Sequence, residues 1–358
     1  MVKIYYHLLT KNVLCDILII QKKTYCNVNC NVTRLAELFC SGAIRKGAWI
    51  LRKFKHVIIF GVDGGGHFFR EADTPGFDRI FENGAVTYGA ITSFPSISAE
   101  CWSSMMTGVS PALHGRTNSI LGHELYPGDS PFPTLYKRIS EVYPDAEIGA
   151  FCEWTPLIKG LVEEGLNVEK LSMHDENLME PVHDYIINKK PDFLFIHSDS
   201  VDHAGHSMGY GTEGHFSQIS VVDGYIARVY DTIREAGMVD DCLFMVVCDH
   251  GGTCDPRPEG GFGGVHGGWS VNEREITIGI TGKGIVKGTI PEMNIRDIAA
   301  IVLWGFGIKA PAFDLNGWTS QIPAGVLVQE EVPAYRDISC EKNAAPRISV
   351  QQHGTALI

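Results

Sequence analysis

A mostly parallel α/β sheet is the fold class that the sequence predicts, and three observations predict it. From residue 56 onward short apolar runs alternate with segments of helical spacing. Three of these runs are nearly all apolar, as strands covered on both faces are. The runs also end on Asp, His or Gly, the residues that gather outside the carboxyl ends of strands in an open parallel sheet. In chain order the clearest strands are HVIIFGVD (56–63), EIGAF (147–151), DFLFIH (192–197), CLFMVVCD (242–249) and EITIGITG (275–282). Helical spacing fills 131–143, 175–189, 214–236 and 294–304. The stretch SFPSISAECWSSMMTG (93–108) follows a glycine-containing turn and leads into a further helix.

Charge divides the chain. Residues 1–55 carry ten Lys and Arg against two acids, a net of +8, so a whole-chain net of −12 leaves −20 on residues 56–358. The first segment is therefore expected to be a basic, non-catalytic extension, whose later part has the spacing of an amphipathic helix suited to a membrane surface or to targeting. Residues 56–328 form the expected catalytic domain, and 329–358, where periodicity fades, a C-terminal tail. The acidity of the larger part argues against polymeric nucleic acid as a partner, because such binders carry a basic footprint. No apolar run reaches transmembrane length and no clear signal peptide is seen, so a cytoplasmic setting is the default expectation. The ten cysteines follow no regular framework, which suits buried reduced thiols. The oligomeric state is not legible.

Chemistry concentrates in four short segments: GVDGGG (61–66), DHAGH (202–206), CDHGG (248–252) and VHGG (265–268). Each sets Asp or His at a strand end or in a glycine-rich loop, where the backbone is slim enough for ligands to converge. Asp202 and His206 lie four residues apart, within one helical turn of each other. Two three-ligand sets follow, and zinc suits their mixture of imidazole and carboxylate. A lone Asp before Gly is more often a turn or a cap, and a lone His more often a structural hydrogen-bonding residue. Four such segments in one chain change that balance. GVDGGG lacks the GxGxxG spacing of a dinucleotide loop.

The ordered set GVDG, FPSISAECWSSMMTGVSPALHG, DSVDHAGH, CDHGG and HGG resembles the type I phosphodiesterase/nucleotide pyrophosphatase family of the alkaline phosphatase superfamily, over about residues 56–325. The resemblance implies a three-layer α/β/α alkaline phosphatase-like sandwich and two divalent cations, zinc first among them. It implies one zinc held by Asp63, Asp249 and His250 and touching the nucleophile Ser98, with a second held by Asp202, His206 and His266. Ser98 is fixed by counting back nine residues from Thr107, which precedes Gly108 and PALHG (111–115). Its position before a helix suits an alkoxide or a phosphate, though serine is also a favoured N-cap. The implied reaction is hydrolysis of a small phosphodiester, nucleotide or pyrophosphate through a phosphoserine.

One departure stands out. Family members commonly carry Pro and Asn two and three residues after the nucleophile, with the asparagine contacting the phosphoryl oxygens, whereas Glu100 and Cys101 stand here. Oxygen stabilisation is then left to metal, backbone N–H groups or another side chain. A phosphomonoesterase or phosphonate hydrolase on the same scaffold would want an extra cation, and Arg116 is the nearest basic residue downstream. A sulfatase is disfavoured because Glu100 and Trp102 stand where Pro and Arg are needed. A binding homologue without catalysis is disfavoured by the complete ligand set. His197, His203 and His215 are expected to be outer partners, substrate contacts or plain structural residues, His114 not a ligand, and Trp154 and Tyr210 either base-stacking or packing residues.

Overall fold

The computed structural model describes residues 52–258, 260–290, 292–312 and 317–327. Most of the basic extension and the tail beyond 327 lie outside these residues. The domain begins before the expected boundary: Phe54 is buried, and the Lys53 and Phe54 N–H groups donate to the Gly305 carbonyl.

Among the described residues ten strands form, β1 (His56–Val62), β2 (Ala85–Ile91), β3 (Ile148–Cys152), β4 (Glu169–Leu171), β5 (Phe193–Ser198), β6 (Cys242–Cys248), β7 (Asp255–Pro256), β8 (Phe262–Gly263), β9 (Glu275–Thr281) and β10 (Gly288–Thr289). Eight of them build one sheet in the order β10-β2-β9-β6-β1-β5-β3-β4, and β7 with β8 make a separate hairpin. All pairs in the large sheet are parallel except β2 with β9 and β6 with β9, so β9 alone runs backwards.

Every residue of β1, β5 and β6 is buried. Because successive side chains point to opposite faces, such strands must be covered on both sides. Two groups of helices do this. Helices Ser98–Thr107, Leu135–Val142, Thr155–Leu161 and Asp297–Gly305 pack in one group, and Pro75–Phe81, Asp175–Lys189, Ser200–Met208 and Glu213–Glu235 in the other. The expected α/β/α architecture is thus present, with all five strands read from the sequence in the sheet.

This topology carries the site to one edge. β1, β5 and β6 are parallel, so Asp63, the helix after Ser198 and Asp249 all emerge at the same end. β2 runs the same way, and its exit at Ile91 leads to Ser98. The reversed β9 starts at that edge, which brings the preceding loop and His266 there too. β2 is what the sequence reading took for a turn. Its AVTYGAI has Gly89 inside, a register shift between Thr87 and Ala90, and only partial burial, so neither an apolar run nor clean alternation marks it.

Candidate active site

Ser98 is the first residue of the helix Ser98–Thr107, whose N-cap is Ile97. Its hydroxyl therefore does not cap the helix. It donates to Asp63 Oδ1 at 3.3 Å and lies 3.2 Å from His250 Nε2, with the residue 7% exposed. The cap alternative is replaced by a hydroxyl turned toward one of the two ligand sets.

Asp63, Asp249 and His250 come together at the ends of β1 and β6, their ligand atoms all within 4.8 Å of one another. Asp63 is gripped from behind: Trp102 Nε1 donates to its Oδ2 at 2.9 Å and His197 Nε2 at 3.0 Å, leaving Oδ1 for Ser98 and His250. His250 Nδ1 donates to the Gly251 carbonyl at 3.0 Å, so Nε2 faces the carboxylates. Asp249 Oδ1 accepts the N–H groups of Gly64 and His250, while Oδ2 is buried and lies 3.3 Å from His250 Nε2 without a hydrogen bond. Thr92 Oγ1 fixes the Asp249 carbonyl.

The second set, Asp202, His206 and His266, also gathers within 4.8 Å. Asp202 and His206 share a face of the helix Ser200–Met208, with His206 Nε2 3.2 Å from Asp202 Oδ2. His206 Nδ1 donates to the Gly264 carbonyl and His266 Nδ1 to that of Ser96, each at 2.9 Å. In all three histidines the same nitrogen is tied to backbone and the other is left for the cluster, the arrangement that orients metal-bound imidazoles. Tyr210 Oη donates to Asp202 Oδ1 at 2.5 Å, and its ring packs on Gly205, Gly252 and Gly264. Tyr210 is thus a partner of Asp202, not a free stacking surface. Gly64, at φ +69°, lets the turn after β1 touch the helix of Asp202, since a Cβ there would sit 2.7 Å from the Asp202 Cα. This close approach joins the two sets.

The electrostatics of the cluster call for positive charge. Burial would raise Asp63, but hydrogen bonds from His197 and His250 hold it well below the usual carboxylate range. Burial pushes Asp249 well above that range, and Asp63 adds to the effect. Burial would lower His250, but Asp249, Asp63 and Asp202 together push it up to about 10. The hydrogen bond with Asp202 pushes His206 up to about 9. Three buried or nearly buried carboxylates, an orphaned carboxylate oxygen and three pre-aimed imidazole nitrogens are a donor set that fits divalent metal.

Other residues find plainer places. Cys101 is fully buried, its thiol 3.9 Å from the carbonyls of Ser93 and Pro95, so it braces the loop before Ser98. In its stead Asn118, which the sequence reading passed over, reaches the helix of Ser98: its Oδ1 accepts the Ala99 N–H at 2.9 Å. Its signal was an Asn four residues after His114, beyond the PALHG motif that was read. Arg116 is buried, donates to the carbonyls of Glu124 and Leu125 and lies over the Tyr126 ring. His114 accepts the Arg116 N–H at Nδ1 and contacts Ser104 Oγ through Nε2. His215 links the Gly211 N–H to the Gly64 carbonyl. His203 is exposed beside Asp199, and Trp154 packs half-buried against the core. The described cysteines are free thiols, all buried but Cys254.

Comparison with known proteins follows the geometry. The profile of the type I phosphodiesterase/nucleotide pyrophosphatase family matches residues 57–126 and 133–254. The chain belongs to that family, a metal-dependent family whose chemistry is on phosphodiester and pyrophosphate bonds. GPI ethanolamine phosphate transferase 3 of Eremothecium gossypii is 34% identical over 123 residues, 32% of this chain but 11% of that protein. The chain thus matches about a tenth of that relative's length. Murine ectonucleotide pyrophosphatase/phosphodiesterase 5 shares the fold at 14% identity with a TM-score of 0.60, covering 72% of this chain and 97% of that one. The human protein does so at 12% identity and 0.59, covering 72% and 96%. The fold is alkaline phosphatase-like. No helix among the described residues is long and apolar enough to cross a membrane.

Proposed function

We propose that the protein is a zinc-dependent phosphodiesterase or nucleotide pyrophosphatase that works through a phosphoserine on Ser98. The observation that carries this reading is the Ser98 hydroxyl, which contacts Asp63 and His250 in place of capping its own helix. Asp63, Asp249 and His250 would hold one cation beside Ser98, and Asp202, His206 and His266 the other. When bound, such ions lower the pKa of a serine hydroxyl and neutralise charge on the attacking and leaving oxygens.

The chain's own residues supply the rest. Ser98 Oγ attacks phosphorus in line, the P–O bond to the leaving alcohol or phosphate breaks, and the phosphoryl group passes to Oγ. The helix N-terminus under it favours the negative charge of the phosphoryl group. Asn118 takes the part left open by Cys101: its oxygen is engaged by Ala99, so its amide N–H₂ is the half available to a phosphoryl oxygen. Water then takes the phosphoryl group from Ser98. Similarity to an ethanolamine phosphate transferase supports a second reading, in which an alcohol takes it instead. Arg116, turned to carbonyls and Tyr126, gives no support to a monoesterase.

Ser98→Ala is expected to lower turnover of an aryl phosphodiester by about 10⁴-fold or more while metal per chain stays near wild type. A zinc-loaded, active variant overturns the assignment. Asn118→Ala is expected to cost about 10²-fold in kcat, the size of one lost oxyanion donor. Unchanged kcat would return oxygen stabilisation to metal and backbone.

A further inference from the structure

Ser96 stands two residues before Ser98, in the loop that joins β2 to the helix Ser98–Thr107, and is fully buried. Three hydrogen bonds join it to three successive residues of the loop that carries His266. Its carbonyl accepts His266 Nδ1–H at 2.9 Å, its hydroxyl accepts the Gly267 N–H at 3.1 Å, and the same hydroxyl donates to the Gly268 carbonyl at 3.0 Å. One hydroxyl thus serves as donor and acceptor at once. Residues 264–270 are in neither helix nor strand, so His266 is aimed by such contacts and not by an element of its own. Gly267, at φ +106°, lets the two loops close up, since a Cβ there would sit 3.2 Å from Ile97 Cγ1. On the other side of the segment Glu273 accepts the Gly268 N–H at 2.6 Å, and the rings of Phe94 and Trp269 meet edge to face with centroids 4.5 Å apart.

This clasp decides a separation. The His266 ring stacks on that of His250 with centroids 3.9 Å apart, and its Nε2 lies 3.9 Å from Asp202 Oδ1, so it stands between the two ligand sets. A shift of His266 along its loop changes how far the second set lies from Ser98. It leaves Asp63, Asp249 and His250 where they are, because these follow the buried strands β1 and β6.

We propose that Ser96 is a positioning residue: through its hold on His266 it sets the second ligand set at its working distance from Ser98. The proposal rests on the two-ion reading with Ser98 as nucleophile. In that reading the second cation neutralises the leaving oxygen, so a displaced His266 costs most where the leaving group is poorest.

Ser96→Ala removes two of the three hydrogen bonds and keeps the carbonyl that faces His266. Zinc titrated into the metal-free variant against a fluorescent chelator is expected to bind about tenfold more weakly than in wild type at the weaker-held of the two ions, with the tighter-held ion unchanged. At saturating zinc the ratio of kcat for methyl 4-nitrophenyl phosphate to kcat for methyl phenyl phosphate is expected to rise about fivefold or more. That ratio does not depend on the fraction of the variant that folds, and a general loosening of the site would slow both esters alike. Unchanged affinity for the weaker-held ion, a loss at the tighter-held ion instead, or an unchanged ratio overturns the proposal. A wild-type chain that binds fewer than two ions, or turnover by Ser98→Ala, would overturn the reading on which it stands.

Discussion

Asp63, Asp249 and His250 sit fully buried at the ends of two adjacent central strands, whereas Asp202, His206 and His266 hang from a helix and a glycine-rich loop, with the His206 side chain 43% exposed. The first set is held by the core itself: Trp102 and His197 brace Asp63, and backbone N–H groups brace Asp249. The second set is held by backbone carbonyls of the 264–268 and 93–98 loops and by one tyrosine. The first set is thus part of the fold, and the second reaches its rim through His206. That division suits a two-ion site in which one ion stays beside the nucleophile and the other meets departing and arriving groups.

The sharpest way to break this contrast is to delete one ligand from each set. Asp63→Ala is expected to reduce activity by about 10⁴-fold or more and also to destabilise the metal-free chain, because the buried N–H groups of Trp102 and His197 lose their acceptor at about 1–3 kcal/mol each. His206→Ala is expected to reduce activity severely but to leave the metal-free melting temperature nearly unchanged, since its ring is half in solvent. Thermal unfolding of both chains after chelation reads the difference. Equal melting temperatures would show that burial does not separate the sets.

Removing metal in stages sharpens the same comparison with a smaller effect. Titrating a chelator is expected to strip the ions in two steps, the second set yielding at about 10- to 100-fold lower chelator concentration than the first. Metal analysis at each step, alongside activity, follows the order. A single concerted loss would mean that Gly64 and its contact with Asp202 couple the two sets into one unit.

The sequence carried the first set more fully than the second, and for a physical reason. Asp63 and Asp249 follow apolar runs long enough to be read as central strands, so their place at the sheet edge could be inferred. His266 depends on β9 running against its neighbours, a direction that no local pattern records. Ser98 was singled out by motif spacing, yet the strand that leads to it, β2, was not read, because a glycine and a register shift erase its alternation. Trp102 was read as part of the motif and against a sulfatase, and its N–H on Asp63 belongs to packing between a helix and the end of β1. The hydrogen bond of Asn118 likewise exists only once the helix and the following turn are folded together.

The braces offer the finest test, because each can be cut while its ligand stays. Trp102 cannot be replaced by a residue of equal volume, but Trp102→Phe keeps an aromatic ring against Phe195 and His197 while removing the Nε1 donor. It is expected to weaken metal binding at the first set by about 10- to 100-fold, and to cost stability through the small cavity left behind. Tyr210→Phe removes one hydroxyl from Asp202 and leaves the ring on its glycine bed, so no cavity of consequence forms. His206 Nε2 stays 3.2 Å from Asp202 Oδ2, which compensates for part of the loss. The expected weakening at the second set is about tenfold or less, with an unchanged melting temperature. Competition with a fluorescent zinc chelator measures both variants on one scale, and a larger effect from Tyr210 than from Trp102 would reverse the view that burial is what makes an outer partner matter here.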